Sequence, residues 1–165
     1  MLNETGLLSG LRLLIVEDQP LIAMDIEEML RALSAASVAI ANSIKEGRGI
    51  VAADDTFDLA VLDYAVGDEN SVSLAMDLLC QNVAVVFISG YDSRQDVSLP
   101  MPEELREVPF VDKPVAPRVL EEALQVALRR SRPASRGEPT GALESEHVEQ
   151  VEKHDDRYGE TDEPE

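Results

Sequence analysis

The chain is poor in cysteine and in aromatic residues. Its 165 residues include one cysteine, Cys80, no tryptophan, and aromatic residues amount to 4%. A single cysteine excludes an intramolecular disulfide framework, which agrees with a reducing compartment. Cys80 follows Leu78 and Leu79, so we expect it to be a small packed side chain rather than a nucleophile.

Positive charge is also scarce. Fourteen Lys and Arg residues stand against 33 Asp and Glu residues, giving a formal net charge of -19 at pH 7. A field of this sign repels phosphate backbones and anionic lipid, so direct binding to nucleic acid or to a membrane surface is disfavoured. The partners that such a charge favours are proteins and cations.

Long apolar runs are missing as well. No run reaches the roughly 20 residues of a membrane-spanning helix, and residues 1–10 lack the basic start and apolar middle of a signal peptide. These absences predict a cytoplasmic protein. With 44% hydrophobic residues, the chain can still bury the core of one domain.

What the chain does contain is an alternation of short apolar runs and amphipathic stretches. The predicted strands are the apolar runs 11–16, 37–41, 57–63, 83–88 and 108–111. The predicted helices cover about 20–33, 44–53 and 71–81, and a last one begins at Pro117. This order is typical of a parallel sheet covered by helices on both faces.

Two serines mark predicted helix starts. Ser43 and Glu46 have the spacing of a capping box, in which the serine oxygen accepts a main-chain N–H of the first turn. Ser71 is expected to cap the third helix in the same way.

Two segments depart from the alternation. Residues 91–108 contain two prolines and no long apolar stripe, so any helix there is expected to be short or labile. Residues 131–165 hold four basic and eleven acidic residues and few large apolar ones, too little to offset their ordering entropy. We therefore expect an N-terminal arm over residues 1–10, a folded domain over 11–130 and a disordered acidic tail over 131–165.

Polar side chains close four of the five predicted strands. Glu17 and Asp18 follow the first strand, Asp63 ends the third, Ser89 follows the fourth and Lys113 comes shortly after the fifth. The carboxyl ends of parallel strands meet at one edge of a sheet, where open α/β folds bind ligands. Taken alone, Asp63 is also an ordinary turn residue. Together, the five side chains predict a site.

Three carboxylates at one edge need a counter-charge. Two like charges ~4 Å apart repel by up to about 4 kcal/mol at the effective dielectric of a protein surface. Mg²⁺, a hard cation that binds through one or two carboxylates, removes this repulsion. Such a pocket is expected to accept a phosphoryl group, with Asp63 as the nucleophile, Glu17 and Asp18 as metal holders and Lys113 as a charge stabiliser.

Four segments resemble the receiver domain of two-component response regulators. They read LIVED at 14–18, VLD at 61–63, FISG at 87–90 and FVDKP at 110–114. The resemblance spans about residues 11–130. It implies a flavodoxin-like (βα)5 fold with strand order 2-1-3-4-5, and a phosphoacceptor rather than an enzyme acting on a separate substrate. The phosphoryl donor would be a sensor histidine kinase or a phosphotransfer protein.

The resemblance also implies roles for individual residues. Asp18, Asp63 and the main-chain carbonyl of Ala65 would bind Mg²⁺, and Glu17 would hold a metal-bound water. Lys113 would pair with Asp63 and with the phosphoryl oxygens. The peptide bond between this lysine and the following proline would be cis.

Two residues are candidates for a switch. A phosphoryl group on Asp63 would draw the Ser89 hydroxyl toward it as a hydrogen-bond donor. Phe110, similar in position to the family's switch aromatic, would then turn into the vacated space. Alternatively, Ser89 caps a strand end and Phe110 is an ordinary core residue.

Three functions follow from these observations. Residues 87–92 resemble the Phe-Ala-Thr-Gly-Tyr motif of receivers found as single domains, with departures at Ile88, Ser89 and Asp92. No output domain follows residue 130, so we expect a single-domain response regulator that switches a protein-binding surface or drains phosphate. The alternatives are a degenerate receiver that acts only as an interaction module, and a phosphatase of the haloacid dehalogenase type. The phosphatase would require a second Asp where this chain has Ala65.

Overall fold

The centre of the molecule is a five-stranded parallel sheet. The computed structural model describes residues 6–54, 56–90 and 101–131. The strands are β1 (Arg12–Val16), β2 (Ser37–Ala41), β3 (Leu59–Asp63), β4 (Ala84–Ser89) and β5 (Phe110–Asp112). They lie in the order β2-β1-β3-β4-β5, which confirms the predicted order and places β3 in the middle.

Within the described residues, four α-helices accompany the strands. They are α1 (Pro20–Ala32), α2 (Ile44–Ala53), α3 (Val72–Cys80) and α4 (Pro117–Ser131). Proline opens both α1 and α4, where a missing N–H leaves no helical bond unmade. None of the described helices is long and apolar enough to span a bilayer.

A short turn of 3-10 helix, Glu103–Leu105, precedes β5. It is the one helical element between residues 101 and 109, in agreement with the short helix that the prolines predict. The Val108 N–H bonds to the Leu105 carbonyl as part of this turn, so β5 begins two residues later than predicted. Residues 91–100, with Tyr91 and Asp92 of the predicted motif, and residues 132–165 of the predicted tail lie outside the described residues.

The sheet buries apolar side chains on both faces. Every residue of β3 is buried. In β1, Leu14 and Val16 pack on the side of α2 and α3, whereas Leu13 and Ile15 pack on the side of α1 and α4. Because both faces of the sheet are covered by apolar packing, a polar functional site is expected at the edge where the strands end.

The packed domain includes residues upstream of the predicted start at residue 11. Leu8 is 0% exposed, and its N–H donates to the Leu33 carbonyl over 2.9 Å. Leu8, which precedes β1, therefore belongs to the core on the α1 side.

One of the two predicted serine caps is confirmed. The Glu46 N–H donates to Ser43 Oγ over 3.0 Å at the start of α2. At the start of α3, Asn70 Oδ1 accepts the Val72 N–H over 3.1 Å, so the predicted capping role of Ser71 is wrong. The Ser71 hydroxyl is buried against the end of β3 and donates to the Asp63 carbonyl instead.

The expectation that Cys80 is packed is also wrong. Cys80 is exposed, because it lies in the last turn of α3 on the side opposite the buried Leu78.

The two glycines of α2 provide a stability prediction. Gly49 has open space where a Cβ would lie, so Gly49→Ala is expected to raise the free energy of unfolding by about 0.5–1 kcal/mol through helix propensity. A Cβ on Gly47 would lie 3.0 Å from Val16 Cγ2, so Gly47→Ala is expected to lose that gain to crowding. Urea unfolding of the matched pair checks this. Equal gains would contradict the close packing of α2 on β1.

Candidate functional site

All five polar residues predicted from the strand ends lie at one edge of the sheet. Glu17 and Asp18 follow β1, Asp63 ends β3, Ser89 ends β4 and Lys113 follows β5. The strand register pairs Asp63 with the residue before Ser89 and pairs Ser89 with the residue before Lys113. The Lys113 N–H also donates to the Ser89 carbonyl over 2.9 Å, which joins the two strand ends directly.

Three carboxylates form a compact acidic cluster. One carboxylate oxygen each from Glu17, Asp18 and Asp63 lie within 4.8 Å of one another. Glu17 is 1% exposed and Asp63 is 4% exposed, whereas Asp18 faces solvent. Two of the charges are thus shielded from water and the third lies at the entrance. This set of hard oxygen donors is of the kind that binds Mg²⁺.

The Lys113 ammonium bridges the two buried carboxylates. Its Nζ lies 2.8 Å from Asp63 Oδ2 and 2.9 Å from Glu17 Oε2. Burial acts to lower the pKa of Lys113, but the contacts with Asp63 and Glu17 outweigh it and the pKa is raised. The lysine therefore stays charged. One ammonium does not balance three carboxylates.

The environment of Glu17 shows the remaining imbalance. Burial raises the pKa of Glu17 to about 7, against the contact with Lys113 and the hydrogen bond from the Gln19 N–H, which lower it, while the charge of Asp63 adds to the increase. The Gln19 N–H donates to Glu17 Oε1 over 3.1 Å. A carboxylate with this pKa is readily protonated near neutrality unless more positive charge is present. A divalent cation would supply that charge.

Two buried atoms at this edge have no hydrogen-bond partner among residues 6–54, 56–90 and 101–131. They are Glu17 Oε2 and Ser89 Oγ. Glu17 Oε2 is attracted by the nearby Lys113 charge, but the pair does not meet hydrogen-bond geometry. An unsatisfied buried polar group costs about 1–3 kcal/mol, so both atoms favour a ligand. The oxygen suits a cation, and the Ser89 hydroxyl suits an anion.

The loop after β3 holds two of the carboxylates through its backbone. Ala65–Val66 and Glu69–Asn70 pair as a small antiparallel hairpin. The Ala65 N–H donates to Asp63 Oδ1 over 3.3 Å, and the Gly67 N–H donates to Asp18 Oδ2 over 3.1 Å. Gly67 has a φ of 60°, a conformation that glycine adopts without strain. Nothing in the sequence identifies Gly67 as a partner of Asp18, because this contact depends on how the loop folds back toward β1.

Phe110 belongs to a cluster of three aromatic rings. Its ring stacks on Phe87 at a centroid distance of 4.9 Å and lies 6.1 Å from the ring of Tyr64. Phe110 is half-buried against the core, so its packing agrees with the alternative of a core residue. Its role as a switch stays a prediction. The Lys113–Pro114 bond is cis, as the resemblance implies.

Comparison with known proteins agrees with this geometry. The family model of the response regulator receiver domain matches residues 13–125. No curated protein matches the chain in sequence.

Several solved structures are similar over most of the chain. SdrG from Sphingomonas melonis Fr1 is 31% identical, with a TM-score of 0.59 over 72% of this chain and 96% of that one. The receiver domain of PhyR from Erythrobacter litoralis is 26% identical, with a TM-score of 0.60 over 77% of this chain and 96% of that one.

A third similar structure is a mutant of the anti-anti-sigma factor PhyR from Bartonella quintana. It is 26% identical, with a TM-score of 0.57 over 73% of this chain and 49% of that one, so the likeness spans about half of that protein.

Three observations identify the family of this chain. They are the strand order, the cluster of Glu17, Asp18, Asp63 and Lys113, and the match of the family model to residues 13–125. The chain belongs to the response regulator receiver domains of two-component systems.

Proposed function

We propose that this receiver accepts a phosphoryl group on Asp63 in the presence of Mg²⁺. The observation that carries the proposal is the contact of the buried Asp63 carboxylate with the Lys113 ammonium inside the acidic cluster. The side chains of Asp18 and Asp63 and the carbonyl of Ala65 would hold the metal, with Glu17 acting through a metal-bound water. When bound, Mg²⁺ neutralises charge on the transferred phosphoryl oxygens.

The residues of the chain have separate parts in the transfer. An Asp63 carboxylate oxygen forms the new bond to phosphorus, and the bond from phosphorus to the imidazole nitrogen of a donor phosphohistidine breaks. The electron pair of the broken bond stays on that nitrogen. Lys113 stabilises the charge on the phosphoryl oxygens from a position already 2.8 Å from Asp63. The burial of Asp63 limits access of water to the acyl phosphate.

We propose Ser89 and Phe110 as the switch. The Ser89 hydroxyl, 1% exposed and without a partner among the described residues, supports a role as donor to the phosphoryl group. Phe110 lies on the neighbouring strand β5, three residues before Lys113, so a shift of β4 or Lys113 acts on its packing. Phosphorylation then shifts a balance between two conformations that both exist beforehand.

The proposed partners are proteins. A sensor histidine kinase or a phosphotransfer protein supplies the phosphoryl group, and a protein target receives the signal. The net charge of -19 supports a protein target over nucleic acid. The PhyR relative described as an anti-anti-sigma factor supports the same kind of output.

A receiver that is never phosphorylated is the less favoured alternative, because all five predicted polar residues gather at one edge.

The first test replaces the acceptor. Asp63→Asn keeps the shape of the side chain but removes the nucleophilic charge, so labelling by acetyl phosphate with Mg²⁺ is expected to fall to background. Asp68→Asn, an exposed carboxylate of the same loop, is the control and is expected to label as the wild type does. Phosphate-affinity gel electrophoresis measures both. Labelling that survives in Asp63→Asn would refute the assignment.

The second test removes the buried cation. Lys113→Met leaves Asp63 and Glu17 without their counter-charge, which is expected to lower the free energy of unfolding by about 1–3 kcal/mol without Mg²⁺. Added Mg²⁺ is expected to restore part of this loss, and Lys113→Arg, which keeps the charge, to lose less. Urea titrations with and without Mg²⁺ give the comparison. An unchanged Lys113→Met would show that the ion pair contributes nothing.

The third test concerns the metal. Asp18 is exposed, so Asp18→Asn is expected to leave stability within about 0.5 kcal/mol while weakening Mg²⁺ binding on the order of tenfold. Magnesium titration followed by NMR measures the affinity. Asp25→Asn, an exposed carboxylate on α1, is the control. Equal affinity in Asp18→Asn and wild type would exclude Asp18 as a ligand.

A further inference from the structure

Ser71 closes the loop that follows the acceptor strand. Its side chain is 0% exposed, and its hydroxyl donates to the main-chain carbonyl of Asp63 over 2.7 Å. Its own N–H donates to the carbonyl of Tyr64 over 2.9 Å. One buried residue therefore satisfies two successive carbonyls at the end of β3.

The hydrogen bond that the Ser71 hydroxyl donates lies at the point where β1 no longer pairs with β3, beside Asp63. The pairing of β1 with β3 ends at Leu62, one residue before Asp63. The Tyr64 N–H donates to the Ile88 carbonyl on the β4 side, and the C=O of the same planar peptide, that of Asp63, points the opposite way. Ser71 thus replaces the missing strand partner on the β1 side.

The loop closed by Ser71 also carries the backbone groups that orient the carboxylates. The Ala65 N–H contacts Asp63 Oδ1 and the Gly67 N–H contacts Asp18 Oδ2. Both donors lie between Asp63 and Ser71, so the position of the loop fixes two of the three carboxylates. Removal of the Ser71 hydroxyl would leave a buried carbonyl unpaired and loosen this loop.

The hydroxyl is not needed to begin the following helix. Asn70 Oδ1 accepts the first N–H of α3, from Val72, and the Ser71 carbonyl accepts the Ala75 N–H as an ordinary helical bond. The hydroxyl therefore acts on the end of β3 rather than on the helix. Mutation of the hydroxyl can therefore change the end of β3 without removing the cap of α3.

From these contacts we infer that Ser71 is a positioning residue for phosphoryl transfer. Its hydroxyl fixes the main chain of Asp63 and the loop bearing Ala65 and Gly67 in the arrangement that Mg²⁺ and the phosphoryl group require. This inference rests on the proposed function of Asp63 as the phosphoacceptor.

The test compares Ser71→Ala with Ser43→Ala. Both variants lose one hydroxyl that hydrogen-bonds the main chain at a helix start, but Ser43 lies at the start of α2 and bonds within that helix. At a temperature where each variant is fully folded, Ser71→Ala is expected to weaken Mg²⁺ binding at least fivefold. Its labelling by acetyl phosphate at saturating Mg²⁺ is expected to slow at least fivefold. Ser43→Ala is expected to change neither quantity.

A second variant separates hydrogen bonding from packing. Ser71→Cys keeps nearly the same volume with a weaker donor, so it is expected to show the same two losses, and it replaces Ser71→Ala if the alanine variant does not fold. The inference is overturned if Ser71→Cys binds and labels as the wild type does, or if Ser43→Ala shows equal losses. A wild type that takes no label would overturn the proposed function instead, and the Mg²⁺ affinities of the variants would still test the positioning by Ser71.

Discussion

The contact of Lys113 with the carboxylates of Asp63 and Glu17 is the interaction on which the site depends. Two carboxylates that are almost fully buried would repel each other and favour protonation without a nearby positive charge. One ammonium makes their burial tolerable but leaves the cluster with an excess of negative charge once Asp18 is counted. The site therefore carries more negative than positive charge. This partial compensation supports the proposal that the site takes up Mg²⁺ and then a phosphoryl group.

The parallel sheet brings these charges together at little cost to the core. Each strand is fixed along its length by apolar contacts on both faces, and the charged residues come only where the strands end. Glu17, Asp63 and Lys113 lie at the ends of three different strands, 96 residues apart at the extremes by their numbering. Their distances are consequently set by strand register rather than by local turns. A change of register in β5 would move Lys113 away from both of its partners.

The parallel sheet and the five polar residues could be predicted because each follows from a rule that the main chain imposes, whereas the strand order came from the resemblance to receiver domains. Apolar runs that alternate with helices give a parallel sheet, and parallel strands place Glu17 and Lys113 at one edge. The roles of Ser71 and Gly67 were missed because they depend on how the loop after β3 closes in space. A serine before a helix is normally read as an acceptor, and its use as a donor to a strand carbonyl becomes visible only in the structure. Cys80 was misjudged because the neighbouring Leu78 and Leu79 were taken to indicate burial, whereas Cys80 lies on the side of α3 opposite the buried Leu78.

The position of Tyr64 gives the protein a built-in optical probe. Tyr64 directly follows Asp63 and packs edge-on against Phe87 at a centroid distance of 5.9 Å, and the chain has no tryptophan to dominate its ultraviolet emission. With three tyrosines in the whole chain, the spectroscopic background is small. A change at Asp63 would therefore act on a native fluorophore one peptide bond away, which gives a readout that needs no attached dye.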